Sequence, residues 1–358
     1  MSINVLFVTY NDFTSSNYGG AQCSRRNFLA LKEFAQVDMY LVKKRSTLQS
    51  TLSFLFLLFP PLSMNDLNNL EKILENKKYD YVFLDSSLLG RFVKIVSKKF
   101  KVSTITFFQN VEVDYNSVRF GNNILRYPYL VMALLNEYLS AKYSNTIIGL
   151  NARDNHRIFE LYHRECDCII PITFQDQVGN EQNLLSDTHK VKDEKSCLFI
   201  GAFGRANYEG IKWFVENVAK HLDAKLIIAG KGFEQKKAEL ERRNVVVLGE
   251  VSDLAELYLK ADCVVLPLLS GAGMKVKTAE ALMYGKTIFG TREAFEGYEL
   301  DFDKVGGLCN DAEEFIAKIN KYLINSSKFN KYSRDFFIER HSNETALLGF
   351  KRLIFKNG

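Results

Sequence analysis

The chain has 358 residues, 47% hydrophobic and 25% charged, a balance that suits two globular domains needing no disulfide or metal staple. A net charge of +5 is too small to argue for nucleic acid; it suits an enzyme that handles phosphates or visits an anionic membrane, and equally a slight excess of lysine. The six cysteines, at 23, 166, 168, 197, 263 and 309, are scattered and read as buried free thiols of a reducing cytoplasm, and Cys166-Asp-Cys168 alone is a weak metal signal.

In chain order, Val5-Leu-Phe-Val8 is too short and lacks the basic flank of a secretion signal. It begins a series of short apolar runs rich in Val, Ile and Phe with little alternation, the pattern of parallel strands covered on both faces. In the first half these fall at 4–9, 37–42, 81–84, 103–108, 146–150 and 168–170. Helical patterns alternate with them at 21–34, 66–76, 88–99, 125–143 and 152–162. The apolar stretch 54–62 is far short of the roughly 20 residues that span a bilayer. With Lys43-Lys-Arg45 just before it, the stretch reads either as a membrane-facing patch or as a buried turn ended by two prolines. A polar break at 173–195 reads as an interdomain linker or a long surface loop. The pattern then restarts, with strands at 196–200, 225–229, 245–248, 263–267 and 287–290 and helices at 210–220, 233–241, 253–260, 277–284 and 312–324. A last helical stretch spans about 326–356. Two doubly wound α/β domains are expected, with ligands at the carboxyl ends of the strands.

The string Ser270-Gly-Ala-Gly-Met-Lys-Val-Lys-Thr-Ala-Glu280 follows an apolar strand and opens a helix. Glycines let backbone approach an anion, and free N–H groups at a helix start hold phosphate oxygens. Lys275 or Lys277 adds a point charge for a diphosphate, and Glu280, on the same helix face as Lys277, offers a carboxylate to a ribose diol. A glycine-rich turn with a solvated Lys–Glu pair is the plain alternative.

The string resembles the donor site of retaining GT-B glycosyltransferases of family 4, which often read Gly-x-Gly-x-Arg-x-Lys-x-x-Glu-Ala-x-x-x-Gly-Lys-Pro there. Lys277, Glu280, Ala281, Gly285 and Lys286 match; Lys275 stands where Arg is common and Thr287 where Pro is usual. Many members carry another glutamate eight residues earlier, on the sugar. Here that position is Ala272, which leaves sugar contacts to the backbone of Gly271, Ala272, Gly273 and Met274. Gly201-Ala-Phe-Gly-Arg-Ala-Asn-Tyr-Glu-Gly-Ile-Lys-Trp-Phe214 resembles the first loop of the family's second domain. Gly204 lies in that loop, and Arg205 is either a diphosphate clamp or a surface arginine. Ile228-Ala-Gly-Lys-Gly232, with Lys231, keeps the family's rhythm, and so does Leu248-Gly-Glu-Val-Ser-Asp-Leu254, where the backbone near Val251 would hold the base. Gly19 and Gly20 stand where members bring glycines close to diphosphate and acceptor. Phe107-Phe-Gln-Asn-Val-Glu-Val-Asp-Tyr115 is similar to the family's His-Asn-x-Glu segment, with Gln109 for histidine and with Asn110 and Glu112 at acceptor positions. Glutamine donates a hydrogen bond but is no base. An ordinary strand end entering a loop explains the same residues.

The resemblance covers nearly the whole chain, most closely over 196–297. It implies an α/β GT-B fold, two Rossmann-like doubly wound parallel-sheet domains facing a central cleft. The acceptor domain would span 1–172, the nucleotide-sugar donor domain 173–325, and a helix at about 326–358 would pack back on the first. It implies retaining transfer of a hexose or N-acetylhexosamine from a UDP- or GDP-sugar to a cell-envelope saccharide or lipid-linked acceptor. Arg205, Lys277, Glu280 and Gln109 would serve catalysis, with no metal cofactor, in the cytoplasm or at the inner face of the membrane. A non-hydrolysing UDP-sugar 2-epimerase shares the architecture but needs an acid/base cluster that the sequence does not display. An inactive sugar-nucleotide-binding subunit is compatible with Ala272 and Gln109. Asp301-Phe-Asp303 looks like a metal-binding motif of a different architecture and is discounted, as are His156 and His163, which share a helix without ligand spacing.

Overall fold

A computed structural model describes residues 3–15, 19–43, 56–60, 62–120, 126–178, 194–271 and 273–356. The chain divides into two units, Met1–Thr173 with Asn343–Gly358, and Phe174–Ser342.

In the first unit, strands β1 (Ile3–Thr9), β2 (Ala35–Leu41), β3 (Tyr81–Leu84), β4 (Ser103–Phe107), β5 (Thr146–Gly149) and β6 (Cys168–Ile169) form a sheet ordered β2-β1-β3-β4-β5-β6. Every neighbouring pair is parallel. Parallel strands need crossovers, and the crossovers carry helices α1 (Gly19–Lys32), α2 (Met64–Asn76), α3 (Gly90–Lys99), α4 (Glu112–Phe120), α5 (Arg126–Tyr143) and α6 (Ala152–Tyr162). One core cluster joins Leu6, Val8, Val82 and Leu84 of the sheet to Leu67, Phe92 and Val96 of the helices.

The second unit repeats the plan. Strands β7 (Ser196–Ile200), β8 (Lys225–Ala229), β9 (Val245–Gly249), β10 (Cys263–Leu266), β11 (Thr287–Gly290) and β12 (Gly306–Leu308) are ordered β12-β11-β10-β7-β8-β9, again parallel. Its helices are α7 (Arg205–Asn217), α8 (Lys237–Leu240), α9 (Leu254–Lys260), α10 (Val276–Met283), α11 (Phe302–Val305), α12 (Ala312–Ile324) and α13 (Lys331–His341). Arg334 of α13 is buried, paired with Asp176 at 2.5 Å, and donates to the Met283 carbonyl at 2.8 Å. That pair holds the start of the unit against α10 and α13, so 174–178 is packed chain rather than linker; 179–193 lies outside the described residues.

The structure differs from the sequence reading at other places too. Segment 326–358, read as one returning helix, is two: α13 stays in the second unit, and α14 (Asn343–Lys356) packs on α1 in the first. Helix α7 starts at Arg205 rather than 210, because Gly210 lies inside it. Helix α4 replaces the loop expected after β4, and β12 is a strand the glycines at 306 and 307 concealed.

The strand order reverses between β1 and β3 in one sheet and between β7 and β10 in the other. At such a switch point the crossovers leave on opposite faces and open a crevice at the carboxyl edge.

Candidate functional site

In the second unit, the loops leaving the switch point after β7 and β10 run into α7 and α10. Neither helix is capped by a side chain; the N-cap residues are Gly204 and Lys275, both extended. A helix start without a cap leaves its first N–H groups to a ligand, and the helix dipole favours an anion there. A cavity of about 260 Å³ lies at both starts. Ala206 and Asn207 line it from α7, Leu268, Ser270, Gly271 and Met274 from the loop after β10, and Lys275, Val276 and Lys277 from the start of α10.

Two glycines permit this convergence. A Cβ on Gly210 would lie 2.0 Å from the Pro267 carbonyl oxygen, so only glycine lets α7 meet the end of β10. Gly230 has φ +149°, and its Cβ would lie 1.9 Å from the Gly201 carbonyl oxygen, so the loops after β7 and β8 touch backbone to backbone.

Lys277 is the cation best placed for a ligand. Its Nζ donates to the side-chain oxygen of Asn207 and sits 5.0 Å over the Phe199 ring. Burial lowers Lys277 to about 8; Glu280 opposes this and Lys275 adds to it. Glu280, one turn further along α10, accepts from the Tyr258 hydroxyl at 3.4 Å. Burial raises Glu280 to about 7, against the opposing pull of Tyr258 and Lys277. Tyr258 is itself fixed by stacking on Tyr284, ring centres 4.7 Å apart.

Lys275 has a different role from the one the sequence suggested. Its Nζ donates to the Glu293 carboxylate and to the Gly273 carbonyl, both at 2.6 Å, so its charge already has a counterion and latches the loop. The Tyr298 hydroxyl holds the Lys275 carbonyl at 2.7 Å, and Gly273 turns the loop with φ +65°.

Gly271 and Met274 line the cavity as the string implied, while Ala272 lies outside the described residues. Arg205 does not line it: the side chain is 85% exposed and pairs along α7 with Glu209 at 2.8 Å. Lys231 is 75% exposed opposite Glu250, and Val251 lies in the turn before α9, outside the cavity lining. Asn207 is the residue the sequence reading missed. Its signal was available, a polar side chain in the first turn of a helix opening on the switch point.

In the first unit, the carboxyl edge carries a buried polar cluster. The Asp85 carboxylate, directly after β3, accepts from Thr9 Oγ1 at 2.9 Å and Asn27 Nδ2 at 2.8 Å. Burial raises Asp85 to about 6, opposed by its hydrogen bonds. Gln109, expected to touch substrate, is buried here instead. Its Nε2 donates to Ser24 Oγ at 3.1 Å and to the Asp85 carbonyl at 3.0 Å, and its Oε1 accepts from Asn11 at 3.3 Å. The amide thus ties the ends of β1, β3 and β4 to α1, and both of its ends are engaged.

Glu112, expected at an acceptor, is also buried. It is the first residue of α4, and its N–H donates to Glu137 Oε1 at 2.9 Å, as that of Val113 does to Oε2 at 3.2 Å. Glu137, on α5, also accepts from Tyr162 at 2.8 Å, and burial raises it to about 8. Asn110 is half-buried between β4 and α4; Gly19 is exposed and Gly20 half-buried where α1 begins.

Asp301 caps α11 by accepting from the N–H groups of Asp303 and Lys304, which accounts for the Asp-x-Asp string. All six cysteines are thiols, and burial pushes Cys166 and Cys168 to about 12. Among the described residues no group of three His, Cys, Asp or Glu side chains could hold a metal, and no helix is long and apolar enough to cross a membrane.

Comparison with known proteins bears on these observations. Residues 194–325 match the family model described as glycosyl transferases group 1, which spans β7 to α12 and the whole cavity. A Klebsiella pneumoniae protein, described as an uncharacterized 44.6 kDa protein in the cps region, is 26% identical over 309 residues, 79% of this chain and 73% of its own length. Sucrose-phosphate synthase of Thermosynechococcus elongatus aligns over 99% of this chain and 98% of its own, with TM-score 0.73 and 15% identity. Anabaena HepE in complex with UDP-glucose aligns over 99% and 100%, with TM-score 0.67 and 12% identity. At those identities the likeness to solved structures is one of fold: the chain has the GT-B architecture of glycosyltransferases, as the resemblance implied.

Proposed function

We propose, with the glycosyl transferases group 1 match over residues 194–325 as premise, that the chain moves a sugar from a nucleotide-diphospho-sugar to a saccharide. The observation that carries the reading is the meeting of two uncapped helix starts and Lys277 at one cavity. In the proposed mechanism the diphosphate lies against the N–H groups at the starts of α7 and α10, with Lys277 beside it. As the bond from the anomeric carbon to the diphosphate oxygen breaks, negative charge grows on the leaving group. Lys277 and the helix amides stabilise it there without rearranging. Glu280, an acceptor one turn from Lys277, receives the ribose hydroxyls. Neither Gln109 nor Glu112 is an accessible base, so the proposed route uses no enzyme base at that segment: the acceptor hydroxyl attacks the anomeric carbon from the face the diphosphate leaves, its proton passes to the departing diphosphate oxygen, and configuration is retained.

A UDP donor is favoured, because HepE, of the same fold, is described in complex with UDP-glucose. A cell-envelope acceptor is favoured by the cps-region relative. Lys277 and the helix amides supply the countercharge in this reading, so chelation by EDTA should leave turnover unchanged. Incubation with radiolabelled UDP- and GDP-sugars tests the proposal. Release or transfer of sugar supports it, an isomerised sugar would indicate an epimerase, and binding without turnover a non-catalytic subunit.

A further inference from the structure

We propose that the outward face of α5 docks this protein on an anionic lipid surface. Tyr127, Val131, Leu134 and Tyr138 recur at helical spacing along that face, with 56, 61, 38 and 42% of their surface exposed. The solvated face of a surface helix ordinarily carries charge. Between Arg126 and Lys142 the only charged residue is Glu137, and it is fully buried under the opposite face. The stripe therefore presents apolar side chains to the medium along three turns of helix.

The same stripe ends in a cluster of cations. Lys142 Nζ donates to the Tyr138 hydroxyl at 3.0 Å and lies 5.4 Å over that ring. From α3, Lys94 and Lys98 place Nζ 5.8 and 6.0 Å over the ring of Tyr143, and Lys142 is 5.8 Å from the same ring. None of the three forms a salt bridge among the described residues, whereas the neighbouring Lys99 is paired with Glu71. The segment 56–60 adjoins this helix through Phe59, whose ring lies 6.3 Å from Tyr129, and it carries Phe56 and Leu57, 51 and 47% exposed.

Charge complementarity selects the occupant. Apolar side chains enter the acyl boundary, tyrosines keep their hydroxyls at headgroup level, and unpaired lysines meet lipid phosphates. The surface is separate from the cavity in the other unit, so this inference stands whether or not the sugar-transfer reading does.

Co-sedimentation of the full chain with vesicles tests it. Phosphatidylcholine vesicles containing about 30% phosphatidylglycerol should pellet the protein, and pure phosphatidylcholine should not. Val131→Glu with Leu134→Glu should weaken binding about tenfold or more, with an unchanged melting temperature and circular dichroism spectrum as the folding control. Lys94→Glu, Lys98→Glu and Lys142→Glu together should abolish the preference for anionic vesicles. Failure to bind anionic vesicles, equal binding by both charge classes of vesicle, or undiminished binding by the Val131/Leu134 variant would each overturn the proposal. So would a dimer in light scattering that Val131→Glu dissociates while vesicle binding is untouched.

Discussion

At Lys277 and Glu280 burial acts in opposite directions on neighbouring charges. It brings the lysine down to about 8 and the glutamate up to about 7, so both change charge near neutrality. In the proposed reading a diphosphate needs protonated Lys277, whose contribution is full below about 8 and fades as pH rises through it. In the same reading the ribose needs ionised Glu280, which fades as pH falls through about 7. UDP affinity measured by calorimetry should therefore peak between those values. Lys277→Ala should weaken it by roughly 1.5–3 kcal/mol, the range for a hydrogen bond to a charged group, and remove the alkaline limb. Glu280→Ala should weaken it and remove the acid limb. Unchanged affinity in both variants would exclude this cavity as the nucleotide site. That the two share one helix face was legible in the sequence because their spacing is local information. Gln109 was misread, since nothing local says that Ser24, Asn11 and the Asp85 backbone surround it. Asp85 was overlooked for the same reason, although its place immediately after an apolar strand was a signal.

Helices α4 and α7 take their bounds from contacts outside themselves. Glu137 holds the first N–H groups of α4 from α5, so the cap lies 25 residues away in sequence and no capping string precedes the helix. Because burial raises Glu137 to about 8, the native state keeps a proton that the unfolded chain releases above the ordinary carboxyl value of 4.5. Its contribution to stability is full below that value, declines as pH rises toward about 8, and is constant beyond. Glu137→Gln, which cannot titrate, should flatten this slope when urea midpoints are compared at pH 5 and pH 8. For α7 the deciding contact is Gly210 against Pro267. Gly210→Ala puts a Cβ 2.0 Å from that carbonyl oxygen and should displace the helix. The expected loss is about 1–3 kcal/mol of stability, read by urea unfolding, with weakened UDP binding because the α7 amides move with it. An exposed helical glycine would instead gain stability from alanine.

The whole molecule is two sheets of one plan, with the chain's last helix returned to the first unit. Phe350 of α14 is fully buried there, 5.8 Å from Phe83 in an edge-on contact, and lies 5.8 Å from the Arg26 guanidinium. Phe350→Ala should cost about 3–5 kcal/mol in the unfolding of the first unit. UDP affinity should stay within about twofold if the nucleotide site belongs to residues 174–342, since distant sites act independently. Calorimetric unfolding with and without UDP checks both parts. The sequence by itself determined the alternation of strands and helices, the doubly wound class and the position of the glycine-rich loop that enters α10. All of these follow from periodicity and glycine placement within a few residues of one another. Only tertiary structure decided that Lys275 is latched to Glu293 while Lys277 faces a cavity, and that Gln109 and Glu112 are buried. It also decided that Val131, Leu134 and Tyr138 of α5 are exposed, because burial depends on what other elements cover, which no local pattern records.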